Sequence, residues 1–278
     1  MKEQLQRDFD NIIKNLSLSQ RDIEIKRFYL DNFIDRGFPN RREEDWKFSD
    51  LNQIIKKNIG ELSFYSDYTS TNKVDTSVFV DGLEHNKIVF INGRIEKIDF
   101  DYEKKNQIEI IDQSETINEF SNNNSLSDLN NAFNNKSLKI MVKNGYQLQK
   151  PLIIYHTTNS KIWSKNINLR LDFELGKDSS LRLIDLFNDT SEKNFLNIFY
   201  NFNLKENAVL KNYKVDKLEN KNIKYAYNNI EQDKNSISET FILSSGSNFF
   251  KNEIKCNLNG EYSSAFVNGI LSLNNDKH

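Results

Sequence analysis

A mainly β protein with an α-helical N-terminal region, its strands wound into a β-solenoid, is the fold class that the amino-acid sequence predicts. Three observations carry that expectation. Apolar residues recur at helical spacing near the N-terminus and at every second position later in the chain. A strand–turn–strand phrase returns after 29 residues, since Phe173-Glu174-Leu175-Gly176-Lys177-Asp178-Ser179-Ser180-Leu181 resembles Phe202-Asn203-Leu204-Lys205-Glu206-Asn207-Ala208-Val209-Leu210. Leu258-Asn259-Gly260-Glu261 echoes Leu204-Lys205-Glu206-Asn207 at nearly twice that interval. Units of this kind hide their apolar rows only by stacking on one another. The chain holds only 2 prolines, few for the turns of a sandwich. A sandwich or barrel is the alternative architecture.

The elements follow in order. Leu5, Phe9, Ile12, Ile13 and Leu16 form the stripe of a first helix. Ser19 offers an N-cap for a second, with Asp22 three residues on to complete a capping box. That helix carries Phe28, Leu30, Phe33 and Ile34, and should end near Gly37, with Pro39 preventing resumption. A third is expected from Ser49 through Leu51, Ile54 and Ile55, ending around 58–60. A polar linker at about 66–75 precedes Ile88-Val89-Phe90-Ile91, a strand meeting the turn signal Asn92-Gly93. Residues 112–136 are Asn/Ser-rich, with a short helix expected around Leu126 to Phe133. From Leu138 onward strand follows strand. Ile167, Leu169, Leu171, Phe173 and Leu175 alternate with Asn168, Arg170, Asp172 and Glu174. Ile254, Cys256 and Leu258, then Val267, Gly269, Leu271 and Leu273, continue the pattern. Three regions result: 1–65 helical, 66–137 a linking α/β segment, and 138–278 the solenoid core.

Composition narrows the function classes. The 278 residues include 38 Lys plus Arg against 40 Asp plus Glu, and no basic run, so nothing favours nucleic acid. Mean hydropathy is −0.70, but 20 Phe and 11 Tyr supply large surfaces for burial. One cysteine rules out an internal disulfide framework. The N-terminal residues form no apolar signal-like stretch, and no apolar run reaches the roughly 18 residues of a membrane span. A cytoplasmic protein without membrane contact is the expectation.

One segment stands out: Arg36-Gly37-Phe38-Pro39-Asn40-Arg41-Arg42-Glu43-Glu44-Asp45-Trp46-Lys47-Phe48-Ser49-Asp50-Leu51. It resembles the SufD-family segment G-x-P-T-R-K-x-E-x-W-K-Y-T-D-L, with Gly37, Pro39, Arg41, Glu44, Trp46, Lys47, Asp50 and Leu51 in register. Val89-Phe90-Ile91-Asn92-Gly93-Arg94, Leu129-Asn130-Asn131-Ala132-Phe133, Lys150-Pro151-Leu152, and Leu258-Asn259-Gly260-Glu261 with Asn268-Gly269 are similar to further family segments in the same order. The resemblance implies a helical head followed by a right-handed parallel β-helix. It implies a non-catalytic scaffold that assembles iron–sulfur clusters with SufB and the ATPase SufC. The cluster would be built on the full complex, with reduced flavin as a candidate cofactor there and no cofactor on this chain. Family members continue through more coils into a C-terminal helical region that contacts SufC. The β-helix is therefore expected to be incomplete at its C-terminal end, with partner contacts largely beyond residue 278. The family's cluster-assembly histidine corresponds to no residue here.

Individual residues divide between chemistry and packing. Trp46 is expected to pack the helical head onto the first strands, with Arg41 and Glu44 paired nearby, rather than to anchor a partner. Cys256 shares strand parity with Ile254 and Leu258, the core face, where a free thiol acts as a small hydrophobe. His156 groups with Leu152 and Ile154 as a hydrogen-bonded interior histidine, with no acid or nucleophile neighbour to support catalysis. His85 and terminal His278 complete the histidines. Asp and Glu are expected on solvated faces, and no phosphate-loop, dinucleotide, nucleophile-elbow or C-x-x-C signature occurs. A β-helical carbohydrate-active or adhesive protein is the alternative function.

One Cys and dispersed His cannot complete a four-ligand site. Anaerobic reconstitution should therefore leave the chain without stoichiometric cluster or zinc. Recovery of about one cluster per monomer, abolished by Cys256→Ala, would contradict this.

Overall fold

The computed structural model describes residues 2–16, 18–64, 76–112, 124–134, 137–158, 162–189, 193–217, 222–245 and 248–272. Helices α1 (Lys2–Asn15), α2 (Gln20–Arg36) and α3 (Leu51–Asn58) form the head, with short 3-10 turns at Glu44–Trp46 and Thr76–Val78. Ser19 caps α2 through the expected box, its side chain accepting from the Asp22 N–H while Asp22 accepts from the Ser19 N–H. Gly37 closes α2 at φ 72, and its N–H donates to the Phe33 carbonyl. Helix α3 begins at Leu51, two residues after the expected Ser49, and Asp50 caps it by accepting from Gln53 N at 2.9 Å. Leu30 and Phe33 are buried, whereas Phe28 is 60% exposed and lies off the apolar stripe.

The remainder is a parallel β-solenoid. Strands β1 (Asn86–Ile91) and β2 (Arg94–Asp99) form a hairpin, followed by β3 (Ile108–Asp112) and helix α4 (Ser125–Phe133). Then come β4 (Ser137–Val142), β5 (Leu152–Thr158), β6 (Asn166–Leu175), β7 (Ser180–Asp189), β8 (Phe195–Leu204), β9 (Val209–Lys217), β10 (Ile223–Gln232), β11 (Ile237–Ser245), β12 (Phe249–Leu258) and β13 (Ser264–Ser272). From β4 on the chain visits two sheets alternately: one ordered β13-β11-β9-β7-β5-β1-β2, the other β12-β10-β8-β6-β4-β3. Every pairing from β4 to β13 is parallel, which separates the fold from an antiparallel sandwich. Phe173 pairs with Phe202, the repeat seen in the sequence; Leu204 pairs with Gln232 and Gln232 with Leu258, its double.

The turns between even and odd strands share one geometry. Asp178, Asn207, Asn235 and Tyr262 take φ 56, 59, 57 and 60. Asn235 donates to Asn207 Oδ1 at 3.0 Å and Asn207 to Asp178 Oδ1 at 2.6 Å, a side-chain ladder down that edge. At the other hairpin, Asn92 and Gly93 take φ 52 and 79, and a Cβ on Gly93 would come within 2.7 Å of the Ile167 side chain. Only glycine satisfies both demands.

Three apolar clusters result. The solenoid interior is filled by the inward rows of β4 to β8, including Ile140, Ile167, Leu169, Leu171 and Phe173. A second cluster joins the head to the outer face of the even-numbered sheet through Phe9, Phe33, Phe38, Trp46, Phe195, Tyr225 and Phe249. A third lies on the odd-numbered sheet, where Phe79 covers Tyr155, Ile153 and Val89. Helix α4 is entirely buried between head and sheet. Its Asn130 side chain donates to the carbonyls of Leu169 (3.0 Å) and Asn197 (2.8 Å), binding β6 and β8 together. Lys26 of α2 reaches the far end of α4, donating to the carbonyls of Asn131 at 3.1 Å and Asn134 at 2.8 Å. An ammonium there complements the helix dipole. Burial nevertheless lowers its pKa to about 8, against the opposing pull of Asp22.

The linker 66–75, residues 113–123 and Leu273 lie outside the described residues. No described helix is long and apolar enough to cross a membrane.

Trp46 is 4% exposed and meets Tyr225 at 5.8 Å and Phe249 at 6.3 Å between ring centroids. Trp46→Ala should lower unfolding free energy by about 3–5 kcal/mol, read from urea denaturation. A loss below about 1 kcal/mol would show that the indole is not a principal clamp of the head.

Candidate functional site

The solenoid interior turns from apolar to charged along its axis. Strand parity sends Leu152, Ile154 and His156 of β5 inward, with Leu183, Asp185 and Phe187 of β7, then Asn212, Lys214 and Asp216 of β9. Register sets Asp185 beside Ile154 on one side and Lys214 on the other, and sets Phe187 between His156 and Asp216. Tyr200 of β8 and Lys224 of β10 enter from the opposite sheet.

These groups form one network. His156 Nε2 lies 2.7 Å from Asp185 Oδ1. The Tyr200 hydroxyl donates to Asp185 Oδ2 at 2.6 Å, and Lys214 Nζ donates to the same oxygen at 2.9 Å. Lys224 pairs with Asp216. The rings complete the enclosure: His156 stacks on Phe187 at 4.1 Å and Phe90 at 5.4 Å, Lys214 Nζ lies 3.6 Å from the Tyr200 centroid, and Lys224 Nζ lies 3.1 Å from that of Phe187. Asp185 is fully buried and Lys214 is 1% exposed.

Two carboxylates and two ammonium groups balance, which is how buried charge is tolerated. Burial alone would raise the Asp185 pKa, yet Lys214, His156 and Lys224 hold it well below the usual carboxylate range. Burial lowers His156 and outweighs the pull of Asp185, so the imidazole is neutral, Nε2–H donating. Burial also lowers Lys224 against Asp216 and Asp185, and raises Tyr200, with Asp185 adding to the rise. Chemically the arrangement is a polarised, sealed proton-holding network. It fixes which coil sits on which, because a register slip would strand a charge.

The expectation that His156 has no acidic neighbour is corrected, as is that of carboxylates only on solvated faces. Asp185 and Asp216 lie in the same parity as the apolar residues of their strands, and so point inward. The signal was present in the sequence: His156, Asp185 and Lys214 are spaced by 29 residues, the interval of the repeat itself.

The motif residues fall elsewhere. Gly37 ends α2, the Pro39 carbonyl accepts from Leu51 N at 3.1 Å, and Trp46 packs on β10 and β12 rather than on the first strands. The head lies across the later coils, which chain order alone does not reveal. Lys251 sits 4.9 Å from the Trp46 ring and donates to the Asp45 carbonyl at 2.8 Å. Glu44 pairs with Lys47 at 2.8 Å instead of Arg41, whose side chain is exposed. His85 bridges the Leu83 carbonyl (2.6 Å) and the Tyr155 hydroxyl (2.8 Å). Cys256 is half-buried against the interior cluster, and burial pushes its thiol pKa up. His278 lies outside the described residues. Among the described residues no three His, Cys, Asp or Glu side chains converge as metal ligands.

Residues 156–278, which contain most of this solenoid, match the family model described as "SUF system FeS cluster assembly, SufBD core domain". Over 250 residues the chain is 21% identical to the iron–sulfur cluster assembly protein SufD of Escherichia coli strain K12. That alignment covers 87% of this chain and 57% of the relative, so the chain spans a little over half the length of the protein it matches.

The interior charges set two expectations. Asp185→Asn leaves Lys214 without its counter-charge and should cost about 3–5 kcal/mol in denaturant unfolding. The neutral His156 contributes stability that is complete above its unfolded pKa of 6.5 and is lost as pH falls below it. His156→Gln should therefore flatten the decline in melting temperature between about pH 7 and pH 5. An unchanged slope would refute the assignment of that decline to His156.

Proposed function

We propose that this chain, assigned to the SufD family by its solenoid and by its likeness to a SufD protein over most of its length, is a non-catalytic scaffold subunit in iron–sulfur cluster assembly. In this reading it works in the cytoplasm beside a SufB-like subunit and a SufC-like ATPase. The cluster is cargo built on the assembled complex, and reduced flavin, if used, binds there. The observation that carries the reading is the match of residues 156–278 to the SufBD core domain. That match contains β9 and β11, whose outer faces carry exposed apolar side chains.

Tyr213 on β9 and Phe241 and Leu243 on β11 are 40%, 37% and 41% exposed on the outer face of the odd-numbered sheet, each on a strand paired on both sides. Tyr213 and Phe241 are register neighbours, so their rings form a continuous strip. Further back on the same face the chain covers the equivalent rows itself, with Phe79 over Tyr155. The uncovered stretch is the surface assigned here to the SufB-like subunit. The head motif, by contrast, is turned inward by Trp46 and serves to join head to solenoid.

Co-expression of the chain with SufB-type and SufC-type proteins, followed by affinity capture, tests the proposal. Capture of the SufB-type subunit is expected, weakened about tenfold or more by Phe241→Asp with little change in melting temperature. Capture of neither partner would overturn the assignment of this strip to a SufB-like subunit. Full capture by Phe241→Asp would move the contact off this strip.

A further inference from the structure

The interior rows grow more polar beyond the ionic network. In β4 and β6 they are wholly apolar: Leu138, Ile140 and Val142, then Ile167, Leu169, Leu171, Phe173 and Leu175. At the same parity β9 carries Asn212, β10 carries Asn228, β11 carries Thr240 and β12 carries Asn252. Asn212 is the register neighbour of Thr240. Asn228 is the register neighbour of Tyr200 and donates to Asn252 Oδ1 at 2.8 Å. Asn212 lies two residues before Lys214, whose ammonium rests on the Tyr200 ring. The amides therefore approach the Tyr200–Lys214 contact from both sheets.

Asn212, Asn228 and Thr240 are 1%, 1% and 2% exposed. Yet both polar atoms of the Asn212 amide, Oδ1 of Asn228, Oγ1 of Thr240 and Nδ2 of Asn252 have no hydrogen-bond partner among the described residues. Buried polar groups in folded proteins are paired almost without exception, because an unpaired one forfeits its hydration for nothing. Five such atoms together would offset much of the marginal stability of a domain. They include both donors and acceptors, and a direct Asn212–Thr240 bond could satisfy only some of them. What satisfies the rest must be small, and must donate and accept at once.

We propose that the solenoid interior across β9 to β12 is a hydrated chamber, in which ordered water bridges Asn212, Thr240, Asn228 and Asn252 and adjoins the Asp185–Lys214 pair. Two to four polar partners per water is the requirement for buried solvent, and the register neighbours Asn212 and Thr240 bring three unpaired polar atoms to one level of the sheet. The chamber makes the later coils a wet core continuous with the dry core of the earlier ones. It gives the buried charges a polar medium beside them, in keeping with the persistence of four charges inside a β-solenoid. This inference is independent of the scaffold reading and of any partner.

The test is a crystal structure of the whole chain at a resolution that shows buried solvent, with water cross-relaxation to the asparagine side-chain amides measured in solution. Water density within about 2.7–3.2 Å of Asn212 and Thr240, and long-lived water signals at the Asn212 amide, are expected. Asn212→Leu combined with Thr240→Val should remove that density and leave the Asp185–Lys214 pair in place. Should the double variant not fold, Thr240→Val alone should lose the water nearest its hydroxyl. A dry interior, or amides paired directly with one another and showing no water signal, would overturn the proposal.

Discussion

Parallel, in-register stacking of one coil on the next is the constraint on which the rest of this structure depends. A strand of the solenoid has an inward row and an outward row, and neither can be buried by its own coil alone. Asp185 meets Lys214, and Phe173 meets Phe202, only because successive coils align residue for residue. A shift by one position would send the leucines, isoleucines and phenylalanines outward and bring lysines and asparagines in. Pairing register and core composition are thus a single condition, met at every level of the stack.

Two devices outside simple hydrophobic burial hold that register. Inside, the paired charges of β7, β9 and β10 favour one alignment, since each misalignment would leave an ion unmatched in a low-dielectric space. Outside, α4 lies across the even-numbered sheet with Asn130 bonded to two neighbouring strands, while Asn197 donates back to the Leu126 carbonyl at 2.9 Å. Trp46 extends the clamp to β10 and β12. Between them α4 and Trp46 touch β6, β8, β10 and β12, four neighbouring strands of one sheet.

Much of this was legible from the chain. The capping box at Ser19 and Asp22, the stop at Gly37, the Asn92-Gly93 turn and the two-residue alternation of β6 depend on local physics, and local physics is written in adjacent residues. The stacking interval was legible as well, because a solenoid turns a distance in space into a fixed distance in sequence. Two features escaped. Trp46 contacts Tyr225 and Phe249, about two hundred residues away in the chain, and no periodicity links a head to the coil it covers. The interior charges were hidden by an assumption instead: Asp185, Lys214, Asp216 and Lys224 look like surface residues when charge is weighed before parity. Counting from Leu183 or Leu210 by twos places three of them inside.

The two edges of the solenoid differ in a way that bears on how such a chain can vary. The turns 176–179, 205–208 and 233–236 are equal in length and share one left-handed residue each, tied by the Asp178–Asn207–Asn235 ladder. The connections on the opposite edge, 159–165, 190–194, 218–222 and 246–248, are not equal in length, and the last is the shortest. Those three turns keep one length, while the connections opposite run from seven residues to three. A residue inserted into one of these four-residue turns must be taken up as a bulge, as Asn259 is where the N–H groups of Asn259 and Gly260 both donate to the Gln232 carbonyl, or it exchanges the inward and outward rows of the strand that follows. On the opposite edge the lengths already differ while the flanking strands stay in register. Length polymorphism between related chains, and any epitope or fluorophore grafted into this one, belongs on that second edge.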